Sequence, residues 1–213
     1  MEILDKDLLR YSEDHTTFES GLLKRINRET HVEVPKARML SGQLQGRFLA
    51  MISHMIKPSA ILEIGTYTGY SAICLAEGLS VNGKLITLDN NQELEVRVRN
   101  YFREAGLEEV IDFRVGEALQ ILPTLTSLFD LVFIDADKEN YCNYFDAVVD
   151  KVVVGGFILA DNVLWSGKVL DPRPDKDTRA ILEFNQKIQS DDRVENVLLP
   201  VRDGLMLVRK VRE

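Results

Sequence analysis

Two short apolar runs that end abruptly in charge constrain this chain more than anything else in it. Residues 131–134 (LVFI) lead straight into Asp135, Asp137 and Lys138, and residues 157–160 (FILA) lead into Asp161 and Asn162. Runs of this kind are the mark of parallel strands covered on both faces, which cannot host charge inside. The charged residues then stand at the strands' carboxyl ends, where open α/β sheets keep their binding crevice. Two neighbouring strands bring two carboxylates, a side-chain amide and an ammonium to one rim. That set suits a hard cation with a base beside it.

From residue 58 onward, short apolar strands alternate with amphipathic helices. Strands are expected over 60–64, 84–88 and 110–115, and helices over 70–79, 92–105 and 117–122. The two strands at the rim follow, with a helix over 141–149 between them. This order predicts a doubly wound, mostly parallel sheet. A helix over 180–190 precedes two last strands, 195–200 and 204–209, and the link 201–203 is so short that only an antiparallel hairpin fits. The expected fold class is therefore α/β, with seven strands closed by an antiparallel C-terminal hairpin. Ahead of it, residues 5–27 carry apolar residues at helical spacing and Pro35 closes the helical stretch. Ser41 is placed to cap a further helix ended by Lys57 and Pro58. The expectation is one domain, with residues 1–57 a helical extension and 58–213 the core.

Composition excludes several classes. With 213 residues, 45% of them apolar, the chain can bury a full core, and a formal charge of −8 speaks against non-specific nucleic-acid binding. Cys74 and Cys142 both fall in helix readings, as small buried hydrophobes of a reducing compartment. The opening MEILDKDLLRYSEDH mixes both charges without the apolar segment of a signal peptide, and no apolar run is long enough to span a bilayer. These features predict a soluble cytoplasmic protein with no membrane partner.

LEIGTYTGYS (Leu62 to Ser71) follows a strand and opens a helix. Gly65 allows the tight turn and Gly69 close packing, while Tyr67 stands where a dinucleotide fingerprint needs its second glycine. The loop thus suits a nucleoside-like ligand without pyrophosphate, and a nicotinamide oxidoreductase is disfavoured. Asp89 ends the next strand about 24 residues after Gly65, the spacing at which an acid accepts ribose hydroxyls, and it could equally cap the following helix. Glu63, inside the first strand, requires a hydrogen-bond donor. Gly116, Glu117 and Ala118 end the third strand, either beside an adenine ring or as a plain helix start.

EIGTYTGYS, LDNN, VFIDADKENY and ADNVLWSGKV, in that order, resemble the cation-dependent O-methyltransferase family of the caffeoyl-CoA and catechol type, over residues 39–213. The resemblance implies a Rossmann-like class I methyltransferase fold that uses S-adenosylmethionine. It implies that Asp135, Asp161 and Asn162 hold a divalent metal, usually magnesium, with manganese or calcium as substitutes. It implies that Glu63, Gly65, Thr66, Tyr67, Ser71, Asp89, Gly116, Glu117, Ala118 and Asp135 line the cofactor, with Met39 and Ser41 closing over it. Gln45 departs from the glutamate the family often carries there. A homodimer is implied by the resemblance alone.

The expected reaction is methyl transfer to a hydroxyl of a vicinal dihydroxy aromatic such as catechol, caffeate or caffeoyl-CoA. Asp135 and Asn162 would act through the metal, and Lys138 is the candidate general base and substrate contact. Lys138 could instead be a surface lysine paired with Glu139 or Asp175, and Asp137 could serve a turn or the substrate. Trp165, the only tryptophan, either packs in the core or walls a planar substrate. Arg173 reads as a solvated loop residue. Two other functions compete: methylation of a hydroxylated uridine in tRNA, and non-enzymatic binding of S-adenosylmethionine. The three histidines, His15, His31 and His54, lie upstream of the sheet and offer no zinc site.

Overall fold

A computed structural model describes residues 6–213, and the fold is the expected one: a seven-stranded, mostly parallel α/β sheet closed by an antiparallel hairpin. The expected helix start at Asp5 lies outside the described residues. The chain divides into two compact units, residues 7–118 and 119–213.

The first unit opens with helices α1 (Lys6–Asp14), α2 (Gly21–Glu33) and α3 (Gly42–Ile56). Ser20 caps α2, accepting from the Leu23 N–H at 3.2 Å, and Val34 ends it in an extended conformation just before Pro35. α2 therefore runs past the periodic stretch 5–27 and is closed off ahead of Pro35, as expected. Ser41 does not cap α3: its own backbone is already helical and its side chain makes no cap hydrogen bond. Lys57 ends α3 in the left-handed region, a common way for a helix to stop, and its N–H donates to the Ser53 carbonyl at 2.7 Å.

Strands β1 (Ala60–Ile64), β2 (Lys84–Asp89) and β3 (Ile111–Val115) pair in parallel in the order β3-β2-β1, with α4 (Tyr70–Ala76) and α5 (Glu95–Glu104) as crossovers. Ile61, Leu62, Leu85 and Leu88 are buried, as strands covered on both faces require. α4 is shorter than expected because the chain turns at Gly78. A Cβ there would lie 2.2 Å from the Ser53 carbonyl carbon and 2.3 Å from the His54 nitrogen, so the turn passes against the last part of α3. α5 is also shorter than expected: residues 92–94 form a 3₁₀ turn capped by Asn91, whose side chain accepts from Glu93 N.

α6 (Ala118–Ile121) leads into the second unit, where β4 (Phe129–Ile134) and β5 (Val152–Asp161) pair in parallel around α7 (Tyr141–Val148). β5 begins earlier than the expected residue 157, because Gly155 and Gly156 lie inside an irregularity where the register with β4 shifts. α8 (Lys176–Ser190) also begins earlier, since Asp175 caps it by accepting from Thr178 N at 2.8 Å and Thr178 Oγ1 at 2.6 Å. β6 (Val194–Leu199) and β7 (Leu205–Lys210) form the expected hairpin, and β7 lies antiparallel to β5. Lys210, 1% exposed, is the charge that strand burial should forbid. Its ammonium is met by the Val152 carbonyl at 3.0 Å and by Glu213 at 3.1 Å. Cys74 is buried as expected, and burial pushes its thiol up to about 12, but Cys142 is only half-buried. Among the described residues no helix is long and apolar enough to cross a membrane.

Gly78→Ala should lower stability by about 1–3 kcal/mol, because backbone rather than a flexible side-chain end fills the space a methyl needs. The urea midpoint should fall at unchanged slope, and an unchanged midpoint would refute the close approach.

Candidate functional site

In the first unit the ends of β1 and β2 build a cradle. Gly65 N and Thr66 N both donate to the Leu88 carbonyl, at 2.9 and 3.2 Å, which pins the glycine loop to β2. Gly65 and Gly69 have φ of 107° and 79°, and Tyr67 is itself left-handed at 49°. Tyr67 is held there from both ends: its N–H donates to Asp89 Oδ2 at 2.6 Å and its hydroxyl to the Pro35 carbonyl at 3.0 Å. The Tyr67 side chain thus reaches toward the segment that carries Met39 and Ser41. Burial pushes its phenol up, so the hydroxyl stays a donor.

Asp89 also accepts from Asn91 N at 2.9 Å through Oδ1. It therefore braces the glycine loop and the next turn, while Asn91, not Asp89, is the cap. A carboxylate offers about four acceptor positions, so two backbone donors leave capacity for hydroxyls of a ligand.

Glu63 is 0% exposed. Ser71 Oγ donates to its Oε1 at 2.5 Å and Thr87 Oγ1 donates to its Oε2. Since the Thr87 proton is committed, the 2.6 Å contact between Thr66 and Thr87 must be donated by Thr66. One buried carboxyl thus orders the loop, α4 and β2 together. Thr87 escaped the sequence reading, although it sits directly across from Glu63 in the β1–β2 ladder. A polar residue at the same level of two apolar strands was the available signal.

Of the remaining cofactor candidates, Ser41 is buried and Met39 is exposed. Gly116 N donates to the Asp89 carbonyl at 2.8 Å, Glu117 accepts from Asn90 Nδ2 at 3.2 Å, and Ala118 opens α6.

In the second unit the rim forms as the strand reading requires. Ile134 pairs with Ala160, so Asp135 and Asp161 lie at the adjacent ends of β4 and β5. Lys138 is 9% exposed and its ammonium donates three ways: to Asn162 Oδ1 at 2.9 Å, to Asp135 Oδ1 at 3.2 Å and to the Tyr141 hydroxyl. It is not a surface lysine. The partners proposed for it on that reading belong elsewhere, Glu139 to Lys176 and Asp175 to Lys168.

Tyr141 was not anticipated beyond its place in a helix. It is fully buried and passes a hydrogen bond on to the Asp161 carbonyl at 3.0 Å. Burial first, then the charges of Asp135 and Asp161, push its phenol well above the ordinary value, so it remains protonated. Asp137 accepts from Tyr144 and Asn140, which ties the start of α7. Trp165 is half-buried, its ring centroid 5.8 Å from the Lys138 ammonium, and its buried indole N–H has no partner among the described residues.

Among the described residues no group of three or more His, Cys, Asp and Glu side chains could hold a metal ion. The rim set differs in kind, with two carboxylates and an amide. Two of these three side chains, Asp135 and Asn162, already direct oxygens at one positive group. Such a donor set fits a hard divalent cation that keeps part of its water shell.

A family profile described as O-methyltransferase matches residues 13–211. The chain is 36% identical over 199 residues to a caffeoyl-CoA O-methyltransferase of Medicago sativa, covering 87% of this chain and 80% of that one. Among solved structures it resembles the SAH-bound methyltransferase PaMTH1 of Podospora anserina, with a TM-score of 0.88 and 29% identity over 96% of this chain and 94% of that one. It also resembles an O-methyltransferase of Bacillus cereus in complex with SAH, with a TM-score of 0.87 and 29% identity over 94% of this chain and 96% of that one.

Glu63→Gln turns two acceptor oxygens into one acceptor and one donor, opposite hydroxyls that both donate. Stability should fall by about 1–3 kcal/mol in a denaturant titration. A neutral result would mean that the hydroxyls can reverse.

Proposed function

Because the chain belongs to the O-methyltransferase family, we propose that it methylates one hydroxyl of a vicinal dihydroxy aromatic of the catechol, caffeate or caffeoyl-CoA type. The methyl donor is S-adenosylmethionine, and Asp135, Asp161 and Asn162 hold a divalent cation, magnesium by preference. The observation that carries this reading is the Lys138 ammonium shared by Asp135, Asn162 and Tyr141 at the ends of β4 and β5. It gathers oxygen donors and a titratable nitrogen in one place. When bound, the cation supplies positive charge that lowers the pKa of an adjacent hydroxyl and fixes its direction.

The chain's own residues supply the rest. Asp89 takes ribose hydroxyls with the acceptor capacity left by Tyr67 N and Asn91 N. Glu63, through Ser71, Thr87 and Thr66, keeps the glycine loop from moving when the donor binds. Lys138 receives the proton of the acceptor hydroxyl. The accepting form is the amine, and Tyr141 and Asn162 keep the nitrogen in position. Trp165 provides a flat wall for the acceptor ring. The carbon–oxygen bond forms as the carbon–sulfur bond breaks, and much of the rate comes from holding oxygen and methyl in line.

Purified protein with S-adenosylmethionine and magnesium should methylate at least one of catechol, caffeate and caffeoyl-CoA. EDTA should abolish the activity and added magnesium restore it. Methylation of none of the three would overturn the proposal. Lys138→Ala should lower kcat by about 10²–10⁴-fold, the usual worth of a positioned general base, with cofactor Kd unchanged by calorimetry. An unaltered kcat would remove Lys138 from that role.

A further inference from the structure

The turn after β5 follows a backbone course that L residues rarely adopt. Asn162, Trp165, Ser166 and Gly167 have φ of 59°, 48°, 54° and 78°, and only the last is glycine. Such a run persists only where its surroundings over-determine it. Here the tip of the β6–β7 hairpin does so. Val163 N donates to the Gly204 carbonyl at 3.1 Å and Leu164 N to the Asp203 carbonyl at 2.9 Å, while Ser166 N donates to Asp203 Oδ1. Tip and turn are also in steric contact, since a Cβ on Gly204 would lie 2.5 Å from Leu164 Cγ. The tip is closed by its own hydrogen bond, from Gly204 N to the Val201 carbonyl at 2.9 Å, with Arg202 and Gly204 left-handed.

Two of these three contacts use carbonyls that any residue supplies. The third is the Asp203 side chain, and it grips the left-handed stretch between Trp165 and Gly167. Trp165 and Asn162 are the residues of this turn that meet Lys138, the ring at 5.8 Å and the amide at 2.9 Å. We infer that Asp203 is a positioning residue for the methyl acceptor, fixing the left-handed stretch that sets the Trp165 ring against Lys138, while Asn162 is held separately by Lys138 and by the Asp161 side chain. The inference rests on the acceptor site proposed above. It adds a specificity determinant from a hairpin that touches none of the reacting groups.

Trp165 is the only tryptophan, so emission excited where tyrosine does not absorb reports this turn alone. The test uses the full chain carrying Asp203→Ala or Asp203→Asn, with emission and acrylamide quenching read before any ligand is added. Asp203→Ala should shift emission to longer wavelength, increase quenching and raise the acceptor KM about tenfold, the worth of one charge-assisted hydrogen bond. kcat at saturating acceptor should change less than about threefold, as for lost uniform binding, and cofactor Kd should hold. Asp203→Asn keeps an oxygen for Ser166 N and should restore the wild-type emission and KM.

Wild-type emission, quenching and KM in Asp203→Ala would overturn the inference. So would a joint loss of acceptor binding, cofactor binding and melting temperature in both variants, since that is general destabilisation. If Asp203→Ala does not fold, Asp203→Glu, which moves the oxygen by one methylene, is read in the same way. The emission measurement needs no acceptor. Failure of the wild-type chain to methylate any acceptor therefore appears separately from failure of Asp203 to hold Trp165.

Discussion

A charge cannot be left bare inside a strand covered on both faces, and the cost of doing so organises both units of this chain. Most charged groups escape it by standing at strand ends, as Asp89, Asp135 and Asp161 do. Glu63 and Lys210 do not escape, and each is surrounded by hydrogen-bonding partners instead. Glu63 accepts hydrogen bonds from the Ser71 and Thr87 hydroxyls, and Lys210 is met by a carbonyl and a carboxylate. In the first case the compensation is also an organising device. The groups that satisfy the buried carboxyl are the groups that fix the glycine loop.

The second unit applies the same economy to a cation. Lys138 is nearly buried, yet every proton on its nitrogen has an oxygen, and those oxygens belong to both strand ends and to α7. Removing any one partner leaves the others facing an ammonium in altered balance. Tyr141 is central to this arrangement because it accepts from Lys138 and donates to the Asp161 carbonyl, linking the side-chain network to β5 itself.

The succession of strands along the chain, the hairpin and the charged rim were legible in the sequence, because apolar runs of a few residues that end in charge allow few alternatives. The family resemblance was legible from the same residues. Helix ends were less so. α8 starts at Asp175's cap rather than at the first apolar residue, and Ser41, a good cap by type, sits in helical backbone and caps nothing. The partners of Glu63 and Lys138 could not be read from spacing, since Thr87 and Tyr141 are ordinary strand and helix residues until register places them. Asp203 was least legible. Its role depends on a backbone N–H 37 residues away, and no local pattern marks such a pairing.

The reach from Asp203 back to Ser166 also orders events in time. β5 gains its antiparallel neighbour only from β7, and the turn beyond β5 gains its restraints only from the hairpin tip. During synthesis, the residues of the rim are made well before the segment that holds them in shape. The first unit, by contrast, closes its cradle with contacts between β1, β2 and α4 that are complete once residue 91 has emerged. A nascent chain of this protein therefore has the partners of Glu63 available well before those of its tryptophan turn, which must wait for the hairpin tip.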